Sequence, residues 1–215
     1  MSIDFSGVIL DLDGLLLDTE RLQLEIAPAV LRSLGHELEP SFFNRLVGVP
    51  QAENARLIGL ELGMEIDAAA LDAAWNESLH ARMREGIPLR PGVHDFLDAL
   101  DRHKLPRAVA TNGVTARAAW KLEQTGLLER IDAIVGIDQV ERGKPAPDVY
   151  LEAARLLDLR PSECVALDDS DLGVRAALAA DVKIIIQVPD MAPSRDLRAH
   201  HQAESLDIAR AILGL

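Results

Sequence analysis

The chain has 215 residues, enough for one core domain with a modest insertion and too few for two large domains. Hydrophobic residues make up 48% and charged residues 27%, a composition that supports a packed core. The 22 Lys and Arg against 35 Asp and Glu leave a net charge of −13, which argues against nucleic acid as a partner. An anionic substrate would therefore have to be drawn in by a metal ion or a well-placed lysine.

Residues 1–5 carry no basic leader ahead of an apolar run, and no stretch reaches the roughly 18 apolar residues of a membrane helix. A cytoplasmic monomer with no membrane partner is expected. The first predicted strand is Val8-Ile9-Leu10, closing on Asp11. Residues 18–87 then show helical patterns and no strand. Within them Leu71, Trp75, Leu79 and Met83 recur every four residues, an apolar stripe suited to packing. Pro28 is expected to kink or break the helix around it. Ile87-Pro88-Leu89-Arg90-Pro91-Gly92 reads as a linker back to the core.

Beyond the linker, helices predicted over 93–102, 114–125, 147–157 and 172–180 alternate with short aliphatic runs. These runs are Ala108-Val109-Ala110, Ile134-Val135, Val165-Ala166-Leu167 and Val182-Lys183-Ile184-Ile185-Ile186. Their length suits strands covered on both faces. The one cysteine, Cys164, heads such a run as a buried small hydrophobe and can form no internal disulfide. Adjacent His200 and His201 point apart and suit a solvated surface rather than a ligand pair. The alternation predicts an α/β fold: a doubly wound, mainly parallel sheet formed by residues 1–17 and 88–215. A small all-α cap, residues 18–87, is inserted after the first strand. Ligands bind such sheets outside the carboxyl ends of the strands, where Asp11, Thr111 and Asp168-Asp169 would gather.

Four motifs carry chemistry. In Asp11-Leu12-Asp13-Gly14 two carboxylates follow a buried strand and a glycine lets the chain turn away. Solvated turn residues are the plain alternative. Asp168-Asp169-Ser170-Asp171-Leu172-Gly173 crowds acids at another strand end, an arrangement a cation would relieve and Mg²⁺ would suit; a helix N-cap at Asp169 or Ser170 is the competing reading. Lys144, between Gly143 and Pro145, offers a fixed point charge for phosphate. Thr111-Asn112-Gly113 offers a hydroxyl, an amide and open backbone N–H groups to phosphate oxygens.

Asp-x-Asp-Gly, a strand-end Thr, Gly-Lys-Pro-x-Pro-Asp and Asp-Asp-Ser-x-x-Gly, in this order, resemble the four motifs of the haloacid dehalogenase-like superfamily. The likeness is greatest to its β-phosphoglucomutase-like phosphatase branch and spans nearly the whole chain. The segment from Asp11 to Leu22, with Val188-Pro189-Asp190 and Ser194-Arg195-Asp196-Leu197, resembles pseudouridine 5′-phosphatases and their bacterial relatives.

The resemblance implies a phosphatase for a small phosphorylated metabolite, a sugar phosphate or nucleotide-like monophosphate. Asp11 would be the nucleophile, Asp13 the general acid and base kept partly protonated by neighbouring carboxylates, and Thr111 and Lys144 the groups holding phosphoryl oxygens. Mg²⁺ would lie on Asp11, the Asp13 backbone carbonyl and Asp169, with Asp168 nearby or ligating; Asp168 stands where relatives often carry the longer Glu. Gly113 replaces a serine common in its motif.

Cap residues Glu20, Gln23, Arg45, Gln51 and Arg56 are candidates to face the substrate's organic group, beside Asn112 and Gly113. The alternative is a β-phosphoglucomutase-type phosphomutase, but Gln23 and Gln51 stand where such enzymes carry His and Arg. A true dehalogenase needs neither Asp13 nor the acid pair, a phosphate-sensing receiver domain is shorter, and a non-enzymatic module would be expected to have lost one of the motifs.

Overall fold

The computed structural model describes residues 4–46, 49 and 51–215, the side chains of Asn44, Gln51 and Ala52 excepted. Strand β1 (Gly7–Leu10), buried at every position, is followed by helices α1 (Thr19–Ser33), α2 (Pro40–Phe43), α3 (Gln51–Leu62) and α4 (Ala68–Arg84). Strands and helices then alternate: α5 (Val93–Arg102), β2 (Arg107–Ala110), α6 (Thr115–Gln124), β3 (Ala133–Val135), α7 (Asp148–Leu156), β4 (Cys164–Asp168), α8 (Asp171–Ala179) and β5 (Ile184–Gln187). A two-residue strand β6 (His201–Gln202) and helix α9 (Leu206–Leu213) end the chain.

The strands form one sheet in the order β3-β2-β1-β4-β5-β6, parallel throughout. From β1 the chain builds outward through β2 and β3, then returns to β1's other side with β4. That reversal leaves a crevice beyond the carboxyl ends of β1 and β4, where open α/β sheets bind ligands. One layer of the core packs Ile9, Ala108, Val135, Val149, Ala166 and Ile185 with the wholly buried Tyr150. Burial of both faces explains why these strands read as unbroken aliphatic runs.

Two compact units emerge: Met1–Asp18 with Pro88–Leu215, and Thr19–Ile87. The second is all helical among its described residues. Ile26, Val30, Phe42, Phe43, Ile58, Leu71 and Trp75 form its core, so the α4 stripe packs and Trp75 is not a surface contact. Of the two outcomes expected at Pro28, a kink or a break, the break does not occur: α1 runs on through it. Proline removes one N–H donor from the ladder, while buried Ile26, Ala27, Val30 and Leu31 hold the helix on either side.

His200 and His201 are both exposed, as expected. His201 in addition belongs to β6, and His200 accepts the Ile185 backbone N–H on Nδ1 at 3.0 Å. Two residues of strand are too few for a periodic signal.

Candidate active site

Register fixes the centre of the site. Leu10 pairs with Leu167, and the Asp11 N–H donates to the Leu167 carbonyl at 2.9 Å, so Asp11 and Asp168 leave neighbouring strands at the same level. On the other side Leu10 pairs with Val109, which puts Thr111 one residue beyond the level of Asp11, and the Thr111 N–H donates to the Val135 carbonyl at 3.0 Å. All three polar residues are buried, at 7% exposure or less.

Lys144 joins them. Its ammonium donates to Asp11 Oδ1 at 2.5 Å and to Asp168 Oδ2 at 2.7 Å, and it lies 5.2 Å from the Tyr150 ring centroid. Burial opposes the Lys144 charge, but the Asp11 and Asp168 carboxylates outweigh it and raise the lysine well above its usual range. Burial pushes the Asp11 carboxyl up to about 7, against the pull of Lys144 and with a further push from Asp168. Two carboxyl groups and a fixed ammonium thus share a buried crevice, where charge interactions are stronger than in bulk water.

Of the two placements the sequence left open for Asp168, beside the metal or on it, its hydrogen bonds favour the first. Its Oδ1 accepts the Ser170 N–H at 2.9 Å and the Ser170 hydroxyl at 2.8 Å, while Oδ2 accepts Lys144 and the Tyr150 hydroxyl, each at 2.7 Å. Those four donors fill a carboxylate's acceptor sites. Burial and the Asp168 charge push the Tyr150 phenol well above its ordinary range, which keeps it a donor. Asp168 therefore holds Lys144 in place. The N-cap reading of this motif is right for Ser170, whose hydroxyl accepts the Gly173 N–H at 3.0 Å.

Gly173 is required there: a Cβ would lie 1.8 Å from Asp168 Oδ2. Gly14, at φ +88, likewise admits Asp169, whose Oδ2 sits 2.3 Å from where a Cβ would stand. Asp169 thus lies directly against the loop that carries Asp11 and Asp13.

Asn112 has a structural role besides its expected one. Its Oδ1 accepts the Lys144 N–H at 2.7 Å and its Nδ2 donates to the Lys144 carbonyl at 3.2 Å. These bonds clamp the lysine backbone and use one of the two Nδ2 hydrogens. The Gly113 N–H donates to Thr111 Oγ1 at 3.0 Å, leaving the Thr111 hydroxyl proton to donate elsewhere.

The Asp13 carboxylate also meets an ammonium: Lys121 Nζ lies 2.6 and 2.8 Å from its two oxygens. Lys121 and Tyr150 were missed by the sequence reading. The available signals were a lysine on the apolar face of the helix after Thr111, beside Ala118 and Leu122, and the chain's one tyrosine two residues past Gly-Lys-Pro-x-Pro-Asp.

In the helical unit, Glu20 and Gln23 lie on the first turns of α1. Arg45 is exposed, pairs with Glu61 at 2.6 Å and sits 5.0 Å from the Phe42 ring centroid; Arg56 pairs with Glu53 at 3.0 Å. The Gln51 side chain lies outside the described residues.

Fold and site define an α/β protein whose reactive groups converge at the strand-order reversal. The chain belongs to the haloacid dehalogenase-like hydrolase family, whose model matches residues 8–187. It is 30% identical over 182 residues to the "Phosphorylated carbohydrates phosphatase" of Thermotoga maritima, covering 85% of this chain and 84% of that one. A "Probable pseudouridine-5'-phosphatase" of Drosophila melanogaster is 30% identical over 200 residues, covering 89% and 85%. Among solved structures, a HAD family hydrolase from Deinococcus radiodurans with bound phosphate and sodium superposes with a TM-score of 0.83 at 26% identity, covering 99% of this chain and 96% of that one.

Proposed function

We propose that this chain is a phosphoric monoester hydrolase that cleaves small phosphorylated metabolites, sugar phosphates foremost, through a phospho-aspartate on Asp11. The observation that carries the reading is the Lys144 ammonium held between buried Asp11 and Asp168 where the sheet order reverses. The α/β unit is the catalytic core. The helical unit acts as the cap that sets substrate choice through Glu20, Gln23, Arg45 and Gln51.

An Asp11 oxygen attacks phosphorus and forms an acyl-phosphate as the ester P–O bond breaks. Asp13 gives its proton to the departing alkoxide, then takes one from the water that attacks phosphorus and frees inorganic phosphate and Asp11. Lys144 and the Thr111 hydroxyl offset charge on the phosphoryl oxygens.

The donors present fit Mg²⁺. Among the described residues no group of three or more acid, His or Cys side chains forms a metal cage. Asp169 against the Asp11–Gly14 loop instead offers two carboxylates and the Asp13 carbonyl, a hard-oxygen set that leaves places for water and substrate, as Mg²⁺ prefers. Bound there, Mg²⁺ would supply positive charge that keeps Asp11 ionised despite its burial.

No helix among the described residues is long and apolar enough to cross a membrane. The proposal includes action in the cytoplasm as a monomer. The test is phosphate release, with Mg²⁺, over a panel of sugar phosphates and nucleoside monophosphates. Release from one or more members is expected; no release from any would contradict the proposal.

A further inference from the structure

Lys121 is an anomaly by composition of its surroundings. It lies on the buried face of α6 with Ala118 and Leu122, and its side chain is only 9% exposed. An ammonium is costly to remove from water unless it is paired. Among the described residues its partner is Asp13, more than a hundred positions away in sequence, with one nitrogen reaching both carboxylate oxygens at 2.6 and 2.8 Å.

The same helix begins just past Thr111-Asn112-Gly113. One rigid element therefore ties the Asp13 carboxylate to the loop that carries Thr111, and α6 sits in the same compact unit as both.

We propose that Lys121 is the positioning residue for the acid–base group. Two hydrogen bonds fix the plane of the Asp13 carboxylate. When one oxygen takes the proton destined for the leaving group, the ammonium keeps its grip on the other, so the carboxyl stays aimed. This rests on the reading of Asp13 as acid and base, and it concerns a residue outside the four motifs.

The test is a double-mutant cycle with Lys121→Met, Asp13→Asn and the pair. The probes are p-nitrophenyl phosphate, whose leaving group needs little protonation, and the sugar phosphate hydrolysed fastest in the screen. Lys121→Met should cut kcat on the sugar phosphate roughly 10²-fold, the scale of a misplaced catalytic group, with little change in KM. In kcat/KM, which reports the steps through phosphoryl transfer and not acyl-phosphate hydrolysis, the loss on p-nitrophenyl phosphate should be smaller than on the sugar phosphate, and the double variant should be no slower than Asp13→Asn.

A Lys121→Met enzyme as fast as wild type, or one whose kcat/KM falls alike on both esters and multiplicatively with Asp13→Asn, would overturn the inference while leaving the Asp13 role standing. Wild-type rates in Asp13→Asn would instead overturn the reading of Asp13 itself. Should Lys121→Met not fold, Lys121→Gln goes through the same comparison with the same outcomes.

Discussion

Lys144 shows how little of a site's energetics lies in its motif. Its place before Pro145 marked it as a point charge, but its partners come from three separate segments: Asp11, Asp168 and the Asn112 amide. Sequence spacing named the acids and not their division of labour, because that depends on which lone pairs protein donors already fill. Asp168 is saturated by Ser170, Lys144 and Tyr150, while Asp169 rests on the Gly14 loop.

The buried Asp11 carboxyl, pushed up to about 7, makes a prediction for the metal-free protein. An acid whose folded value is raised binds its proton more tightly folded than unfolded. Its stabilising contribution is present below the unfolded value of about 4 and is lost as pH rises through about 7. Thermal melts in EDTA should therefore show wild type losing stability relative to Asp11→Asn between about pH 5 and pH 8. Parallel curves for the two would refute the raised value. Asp11→Asn should also hydrolyse no phosphate ester while melting cooperatively.

Elements were the most legible scale. The helix predicted over 93–102 is α5, and the aliphatic runs are β1 to β5 within a residue or two, because strands covered on both faces must be apolar throughout. β6 was not legible, being two residues long and paired only at one edge, nor was the continuity of α1 across Pro28, which depends on tertiary packing.

The junction of β4 and α8 yields a test at this scale. The Asp168 carboxylate occupies the space of an absent Gly173 side chain, so Gly173→Ala must displace it from Lys144 and Tyr150. Overpacking typically costs about 1–3 kcal/mol, and the lost bonds should take activity with them. Denaturant unfolding and phosphate release on the same preparation check this; an alanine variant of normal stability and rate would show that the carboxylate can move freely.

For the whole molecule, the net charge of −13 makes the site's local cations decisive. EDTA should abolish turnover, Mg²⁺ restore it, and Ca²⁺ inhibit, since Ca²⁺ takes six to eight oxygens and often both of one carboxylate, which would occupy the attacking oxygen of Asp11. Full activity in metal-free buffer, or in Ca²⁺ alone, would contradict that account.

The central claim is the covalent phosphoryl group on Asp11, and trapping it is the most direct measurement. Asp13→Asn protein, mixed with p-nitrophenyl phosphate and Mg²⁺ and quenched in acid, should yield on peptide mass spectrometry one added phosphoryl group located on Asp11. Phosphoryl transfer to any other residue, or steady phosphate release with Asp11 unmodified, would contradict the account.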